Sequence, residues 1–247
     1  MLKSLFEARW VQRLVARYDL KLLERLMLAR HDFTARDKLR RVFRRGADPY
    51  QYATSPYERT RFERMAGLLA GRRFRRALEV GCAEGYFTRS LAGFCDQVTA
   101  LDLSEAALYR ARQLVGQPHV EWVQANVRTW QPEKSYDLMV MAEVLYYLPA
   151  PTKGPSYEKA FTLFLERLLS RLEPGGRLLL AHGYGTAAEL AVREDYGQRA
   201  ERLGLRRLAS ELIGDQPHDK GSLCCLLQLF EKPRPDGQKP VKAGGPP

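Results

Sequence analysis

A glycine-rich turn in the first third of the chain, ALEVGCAEGYFTRSL over residues 77–91, carries the residue types of a nucleotide-binding loop. A residue without a Cβ lets the backbone turn sharply and approach a ligand closely, and Gly81 and Gly85 supply two such positions. The loop would directly follow a buried strand, and parallel sheets bind ligands beyond the carboxyl ends of their strands. We therefore expect ligand contacts from Gly81, Cys82, Ala83 and Gly85.

The same loop departs from the patterns that hold nucleotide phosphates. A dinucleotide loop reads G-x-G-x-x-G, whereas Ala83 stands at its second glycine position and Tyr86 at its third. A phosphate-binding loop of the G-K-[S/T] type is absent as well, because no such triplet follows the turn. These departures favour a nucleoside that has no pyrophosphate.

Polar residues at the ends of the next two strand-like runs provide partners for such a nucleoside. Asp102 ends VTALDL, where a carboxylate can accept hydrogen bonds from both ribose hydroxyls. Asn126 ends VQAN and could accept from an adenine amino group, with the Val127 N–H directed at the ring and Leu103 and Val127 flanking it. Glu79 adds a carboxylate beside a cationic ligand or, equally, an acceptor for backbone amides. S-adenosylmethionine combines ribose, adenine and a positive centre without a phosphate, so we expect it as the ligand.

Candidate residues for the methyl acceptor follow the fourth and fifth strand-like runs. Transfer from a sulfonium depends on alignment of the acceptor, and a hydroxyl acceptor also needs a general base. We expect His182 as that proton acceptor because its unperturbed pKa lies near working pH; a structural histidine at the strand end is the alternative. Glu143, Tyr146 and Tyr147 are the other candidates at the acceptor.

Residues before the core and beside the fourth strand complete the expected donor site. Three tyrosines, Tyr50, Tyr52 and Tyr57, precede the core in a segment that could close over the site as a lid. We expect Tyr57 of this lid and Ala142, which precedes Glu143, to contact the donor.

The elements that must position these residues alternate between strands and helices. Such alternation predicts an α/β fold with a mainly parallel sheet and helices on both faces. Two strand-like runs in succession, 205–213 and 222–232, predict a terminal hairpin with an antiparallel last strand. The other strand-like runs are 77–81, 97–103, 120–126, 136–145 and 176–183, and the helical ones are 86–93, 104–115, 158–172 and 186–203.

Most of the positive charge belongs to an N-terminal helical extension, residues 1–45. This segment holds 13 Lys and Arg against 5 Asp and Glu, a net +8 of the +11 of the whole chain. Apolar spacing predicts one amphipathic helix over residues 2–28 and a second from an N-cap at Thr34 to Arg45. We expect this pair to pack on the main domain, with contact to a partner, a second copy or an anionic surface as the alternative.

Composition bears on whether the chain has a membrane segment, a metal site or a nucleic-acid partner. No apolar run is long enough for a membrane span, and the four cysteines lack metal-ligand spacing, so neither a membrane segment nor a metal is expected. A cytoplasmic location follows from this cysteine usage and from charged residues that interrupt the N-terminus. Because basicity is confined to the extension, a nucleic-acid partner is not expected. We predict a catalytic domain over 46–233 and a disordered tail over 234–247.

Several motifs together resemble class I S-adenosylmethionine-dependent methyltransferases. The similarity covers residues 77–182: EVGCAEG resembles the first motif of that family, LDLS its acidic second-strand end, VQAN its third motif and LEPGGRLLLAH the turn and strand after the fifth helix. More narrowly, DPYQYATSPYERTRFERM and AEVLYYL are similar to nodulation-protein-S-like N-methyltransferases, over roughly residues 47–183. The sequence departs from the family pattern at two positions: Ala83 replaces the central glycine of the first motif, and Asn126 replaces the usual aspartate of the third.

The resemblance implies a Rossmann-like seven-stranded sheet with an antiparallel last strand, S-adenosylmethionine as cofactor, and methylation of the free amine of a chitooligosaccharide. We therefore expect methyl transfer to a small molecule, with the amine nitrogen of an aminosugar or related natural product ahead of other acceptors. The alternatives are O-methylation of a sugar or polyketide hydroxyl, an RNA methyltransferase that docks through its basic extension, and a non-catalytic binding module.

Overall fold

The fold is built on a single large sheet, seen in a computed structural model that describes residues 20–150, 154–214, 217–218, 221–222 and 224–235. Its strands are β1 (Phe74–Val80), β2 (Cys95–Asp102), β3 (Val120–Gln124), β4 (Tyr136–Ala142), β5 (Leu172–Tyr184), β6 (Arg206–Ile213) and β7 (Cys224–Glu231). The helices are α1 (Leu20–Arg45), α2 (Pro56–Leu69), α3 (Tyr86–Phe94), α4 (Glu105–Val115), α5 (Pro155–Ser170) and α6 (Ala187–Arg202). A short 3-10 turn, Leu145–Tyr147, follows β4, and Pro217–His218 pairs with Gly221–Ser222.

The seven strands lie in the order β3-β2-β1-β4-β5-β7-β6. Strands β1 to β5 pair in parallel, whereas β7 runs antiparallel to both of its neighbours, β5 and β6. The predicted Rossmann-like sheet with an antiparallel last strand is confirmed. Chain order reverses between β1 and β4, so a crevice forms above their carboxyl ends, where open α/β sheets bind ligands.

Both faces of the central strands are buried, which explains their nearly continuous apolar sequence. Side chains alternate across β4: Leu138 and Val140 join the core on one face, and Met139 and Met141 join the core on the other. The strand ends earlier than predicted, at Ala142, because Glu143 has a φ of 53° that breaks the extended backbone. This break directs the chain over the crevice.

The N-terminal extension differs from its prediction. Helix α1 runs without a break from Leu20 through Thr34 to its predicted end at Arg45. Thr34 does not cap a second helix, because its hydroxyl donates to the Arg30 carbonyl one turn earlier, at 2.9 Å. Residues 1–19, which include most of the first predicted helix, and the tail beyond residue 235 lie outside the described residues. No helix in the described ranges is long and apolar enough to cross a membrane.

Candidate active site

The glycine loop is held against the end of the neighbouring strand. The N–H groups of Gly81 and Cys82 both donate to the Leu101 carbonyl, at 2.7 and 3.1 Å. Gly81 has a φ of 77°, and a Cβ there would lie 3.1 Å from the Val144 side chain. The loop therefore requires glycine at this position, and its backbone borders the crevice directly.

Asp102 supports the loop from the end of β2. Its Oδ2 accepts from the Ala83 N–H at 2.9 Å, and its Oδ1 accepts from the Ser104 N–H at 2.8 Å. Burial raises the pKa of this carboxyl, and the hydrogen bonds from backbone amides oppose that shift. The Leu103 N–H is a third backbone donor to this carboxylate, and its two oxygens, with about four lone-pair sites, keep acceptor capacity toward the cleft.

The expected nucleoside residues border one continuous cleft. Leu103, Asn126 and Val127 line it beside Asp102, as an adenine-binding wall would require. The Asn126 Oδ1 accepts from the Arg128 N–H at 3.0 Å, so part of its acceptor capacity closes its own turn. Eleven of the fifteen expected site residues line this cleft: Gly81, Ala83, Asp102, Leu103, Asn126, Val127, Ala142, Tyr57, Glu143, Tyr146 and Tyr147.

Three expected donor contacts lie elsewhere. Glu79 is buried and accepts from the Thr88 hydroxyl at 2.5 Å; burial raises its pKa to about 8 although that hydrogen bond lowers it. Glu79 and Cys82 line a small side cavity next to the cleft. Gly85 begins α3 with a φ of 83°, and a Cβ there would lie 3.1 Å from Ala111. Its role is close packing of α3 on α4.

Sequence reasoning missed Arg61, which is only 2% exposed. Its guanidinium donates to the Glu58 carboxylate through Nε, at 3.0 Å, and through Nη2. Burial acts to lower the pKa of Arg61, but the carboxylates of Glu58 and Glu143 outweigh it and raise the pKa. Arg61 lines the side cavity with Gly81 and Ala83, so a buried cation lies next to the glycine loop.

A signal for Arg61 exists in the sequence. The buried residues of α2 are Tyr57, Arg61, Met65 and Leu69, at intervals of four that place them on one helix face. Arginine in the middle of an apolar stripe is unusual, because a buried guanidinium needs an anionic partner. Glu58, three residues earlier, is that partner and itself lines the main cleft.

Glu143 follows the end of β4 and lines both the cleft and the small side cavity beside the glycine loop. Its Oε1 accepts from the Gly183 N–H at 2.6 Å, and its Oε2 accepts from the Tyr146 hydroxyl at 2.7 Å. Tyr146 packs beside Tyr147 with ring centroids 4.7 Å apart. The carboxylate is therefore held in one orientation within an aromatic wall, as a group that positions an acceptor must be.

The segment before the core does cover the cleft. Tyr50 and Tyr52 line it, and the Tyr50 hydroxyl lies 3.4 Å from the Tyr147 hydroxyl across the opening. Helix α1 adds Ala35, Leu39 and Phe43 to the lining. This end of the extension is therefore part of the site.

A buried carboxylate of the glycine loop connects this cover to the core. Glu84 accepts from the Asp48 N–H at 2.8 Å and from the Arg110 guanidinium at 2.5 Å. Arg110 also donates to the Phe43 carbonyl at 2.7 Å. The loop that borders the donor site and the segment that covers it are thereby linked.

His182 requires a correction. It does not line the cleft, is 2% exposed, and its Nε2 accepts from the Leu145 N–H at 3.3 Å. Burial, with Arg193 and Arg61 nearby, lowers its pKa well below 6.5. Its ring packs against Tyr196 at 5.4 Å. The geometry contradicts the expected base and supports the alternative, a structural histidine that holds the turn after β4.

The described residues contain no group of three or more side chains that could bind a metal ion. The carboxylate and amide oxygens that line the cleft can accept hydrogen bonds from hydroxyl and amine ligands.

Comparisons with known proteins place this geometry in context. The family model of nodulation protein S (NodS) matches residues 32–179. The nodulation protein S of Rhizobium tropici is 35% identical over 199 residues, which are 75% of this chain and 76% of that protein. A trans-aconitate 2-methyltransferase of an Azoarcus species is 34% identical over 53% of this chain and 49% of its own. The crystal structure of the N-methyltransferase NodS from Bradyrhizobium japonicum in complex with S-adenosyl-L-homocysteine matches with a TM-score of 0.66 and 26% identity, covering 81% of this chain and 99% of that one.

Proposed function

The chain belongs to the nodulation protein S family and is an S-adenosylmethionine-dependent methyltransferase; from this premise we propose that its acceptor is the amine nitrogen of an aminosugar or related natural product. One observation carries the proposal: a single cleft joins the glycine loop anchored on Asp102 to an aromatic end that holds the carboxylates of Glu58 and Glu143.

The residues at the loop end fit the donor chemically. Asp102 offers acceptor capacity for ribose hydroxyls, and Leu103 and Val127 supply apolar surface for adenine. When bound, S-adenosylmethionine supplies a methyl group activated by a sulfonium. We propose that Arg61 balances the donor's α-carboxylate, because it is the buried cation next to the Gly81 loop.

The charge of the acceptor end favours an amine. Glu58 and Glu143 both line the cleft, and because Arg61 pairs with Glu58, Glu143 is the carboxylate that would attract an ammonium group and repel a carboxylate acceptor such as trans-aconitate. Burial raises the pKa of Glu58, and its ion pair with Arg61 opposes that shift. The electrostatics therefore distinguish this site from one that methylates a carboxylic acid.

Glu143 and the tyrosines would orient the acceptor. A neutral amine forms the N–C bond as the donor C–S bond breaks, and the surplus proton leaves the nitrogen. Glu143, held by Gly183 and Tyr146, is the carboxylate placed to accept a hydrogen bond from that nitrogen. The aromatic wall of Tyr50, Tyr146 and Tyr147 would cover the apolar faces of a sugar ring.

A matched pair of acceptors tests the proposal. The chain is incubated with methyl-labelled S-adenosylmethionine and either a chitooligosaccharide with a free terminal amine or its fully N-acetylated counterpart. We expect one labelled methyl group on nitrogen, in the free amine only. Equal labelling of both would indicate transfer to a sugar hydroxyl, and labelling of neither, with a carboxylic acid labelled instead, would refute the amine assignment.

A cytoplasmic location belongs to the same proposal. All four cysteines are free thiols, and Cys82, Cys95 and Cys225 are buried, as is usual in a reducing compartment. A contact between protein copies through the N-terminal segment likewise stays a prediction.

A further inference from the structure

Helix α1 has a second face that the methyl-transfer site does not use. Ala35, Leu39 and Phe43 point into the cleft, whereas Leu26 and Phe33 are 59% and 71% exposed. Leu26 and Phe33 are seven residues apart, about two helical turns, so they share one outer face. Two large apolar side chains therefore lie in solvent on the side away from the site.

Arginines occupy the same outer face. Arg30 follows Leu26 by four residues, Arg40 follows Phe33 by seven, and Arg44 follows Arg40 by four; all three are exposed. This set, which we call the basic face, consists of Leu26, Arg30, Phe33, Arg40 and Arg44. Asp37, four residues after Phe33, shares the face and pairs with Arg41, so the remaining arginines leave the face net positive.

The basic face continues into a surface groove between α1 and the start of α4. Arg40, Arg44 and Arg110 line this groove with Ser104, Glu105, Ala106 and Tyr109, which is 64% exposed. Because Arg110 pairs with Glu84, Arg40 and Arg44 are the cations that offset Glu105. Cationic groups and an exposed aromatic ring thus converge at the carboxyl end of α1. The groove is separate from the cleft and has room for an anionic head group.

The family activity does not account for this face. Leu26 and Arg30 precede residue 32, where the match to the family model begins. Apolar side chains exposed beside arginines on one helix face are the pattern of a helix that lies in the interface of a bilayer, with apolar groups among the acyl chains and cations at the phosphates. A nucleic acid would use the arginines but would leave Leu26, which cannot stack on a base, without a role.

We propose that the basic face of α1 binds an anionic phospholipid surface. The arginines and the groove bind lipid phosphates, and Leu26 and Phe33 enter the head-group layer. Leu26 and Arg44 are about 27 Å apart along α1 at 1.5 Å per residue, so these groups form one strip that can contact a single membrane. The cleft lies on the opposite side of α1, so the lipid contact does not use the residues that line the cleft.

Vesicle flotation of the full chain tests this proposal. Vesicles of equimolar phosphatidylcholine and phosphatidylglycerol are compared with vesicles of phosphatidylcholine alone. We expect the protein to float with the anionic vesicles, less so as salt rises, and to stay behind with the neutral ones. Failure to float with anionic vesicles would overturn the proposal.

Charge-matched variants separate the basic face from the overall charge. Reversal of its three arginines should weaken binding about 100-fold or more, because each juxtamembrane cation contributes roughly a factor of five to membrane affinity and reversal also adds repulsion. The reversed set is Arg30→Glu, Arg40→Glu and Arg44→Glu. The control changes the net charge equally at three exposed positions on other elements, and it should bind like the original chain: Arg59→Glu, Arg89→Glu and Arg171→Glu.

Two substitutions that leave the net charge unchanged test the contribution of the apolar side chains of the basic face. Leu26→Ser with Phe33→Ser keeps every charge and should weaken binding at least tenfold, since two large side chains no longer enter the lipid. Donor binding by calorimetry should be unchanged in all variants, which shows that each is folded. Equal loss in the control set, or normal flotation of the basic-face variants, would assign the lipid contact elsewhere, for example to residues 1–19, and would overturn the proposal. The proposal would also be overturned if the original chain bound RNA through these arginines and did not bind vesicles.

Discussion

The carboxylate of Asp102 accepts a hydrogen bond from the Ala83 N–H at 2.9 Å, which joins the end of β2 to the middle of the glycine loop 19 residues earlier. The other oxygen of the same carboxylate accepts from the Ser104 N–H. One buried side chain therefore shapes the loop and presents acceptors to the donor site.

Replacement of Asp102 by alanine should weaken S-adenosylmethionine binding about 100-fold or more, because two charged hydrogen bonds to ribose and the support of the loop are lost together. Isothermal titration calorimetry measures this directly. Asp96→Asn is the control, since Asp96 lies on the same strand with an exposed carboxylate paired to Arg73. Unchanged affinity in Asp102→Ala would mean that the donor binds elsewhere.

Arg61→Met should remove most of the preference for the donor over its decarboxylated analogue. If Arg61 pairs with the α-carboxylate, the original chain binds S-adenosylmethionine more tightly than decarboxylated S-adenosylmethionine by about tenfold to 100-fold, and the variant binds both alike. Arg64→Met is the control, because Arg64 is 56% exposed and pairs with Glu211 on the surface. A preference that survives in Arg61→Met would restrict Arg61 to its ion pair with Glu58.

Glu143→Gln should lower kcat about 100-fold while donor affinity stays close to that of the original chain, because the change affects the group that we propose accepts a hydrogen bond from the acceptor nitrogen. Tyr146→Phe removes only the hydroxyl that holds Glu143 and should have a smaller effect in the same direction. Steady-state kinetics with a saturating donor distinguishes the two. Glu189→Gln, an exposed carboxylate after β5, is the control, and an equal loss there would contradict the assignment.

His182→Gln should reduce thermal stability but leave the shape of the pH–rate profile intact. His182 is neutral in the fold because burial lowers its pKa, whereas it takes up a proton below about pH 6.5 when unfolded. The unfolded state then binds more protons, so His182 costs stability as pH falls through 6.5, and the variant should lose less stability on acidification. Loss of one limb of the pH–rate profile would restore His182 as a catalytic base.

Glu79 should make the protein less stable as pH rises. Burial raises its pKa to about 8 in the fold, above the usual value near 4.5 that it regains on unfolding. Between these values the folded state binds more protons, so stability falls with increasing pH by up to a few kcal/mol. Glu79→Gln, which keeps an acceptor for Thr88, should flatten the decline in the free energy of unfolding between pH 5 and pH 8, an interval that lies between the usual and the raised pKa. A slope identical to that of the original chain would mean that Glu79 is ionised in the fold.

Local sequence patterns predicted the sheet and many of the residues that line the cleft. Runs of apolar residues in periods of two and 3.6 depend only on neighbouring positions, so β1 to β7 and α3 to α6 lie within a few residues of their predicted bounds. Gly81 and Asp102 were predicted for the same reason, because strand ends in a parallel sheet share one edge.

Contacts between elements that are distant in the chain decided where His182 and Arg61 lie relative to the cleft. His182 ends a strand as predicted, yet the packing of Tyr196 from α6 and the Leu145 N–H place its ring outside the cleft. Arg61 could be assigned to the helix α2, but only the packing of that helix brings it to the glycine loop.

The sequence by itself therefore determined the fold, the donor and the acidic strand end that supports the donor loop, since each depends on residues adjacent in the chain or on a shared sheet edge. Only the tertiary structure decided which side chains reach the cleft and that the end of α1 covers it through Phe43. Burial and partner choice depend on contacts across many residues, such as the bond from Arg110 to the Phe43 carbonyl, and local periodicity carries no information about them.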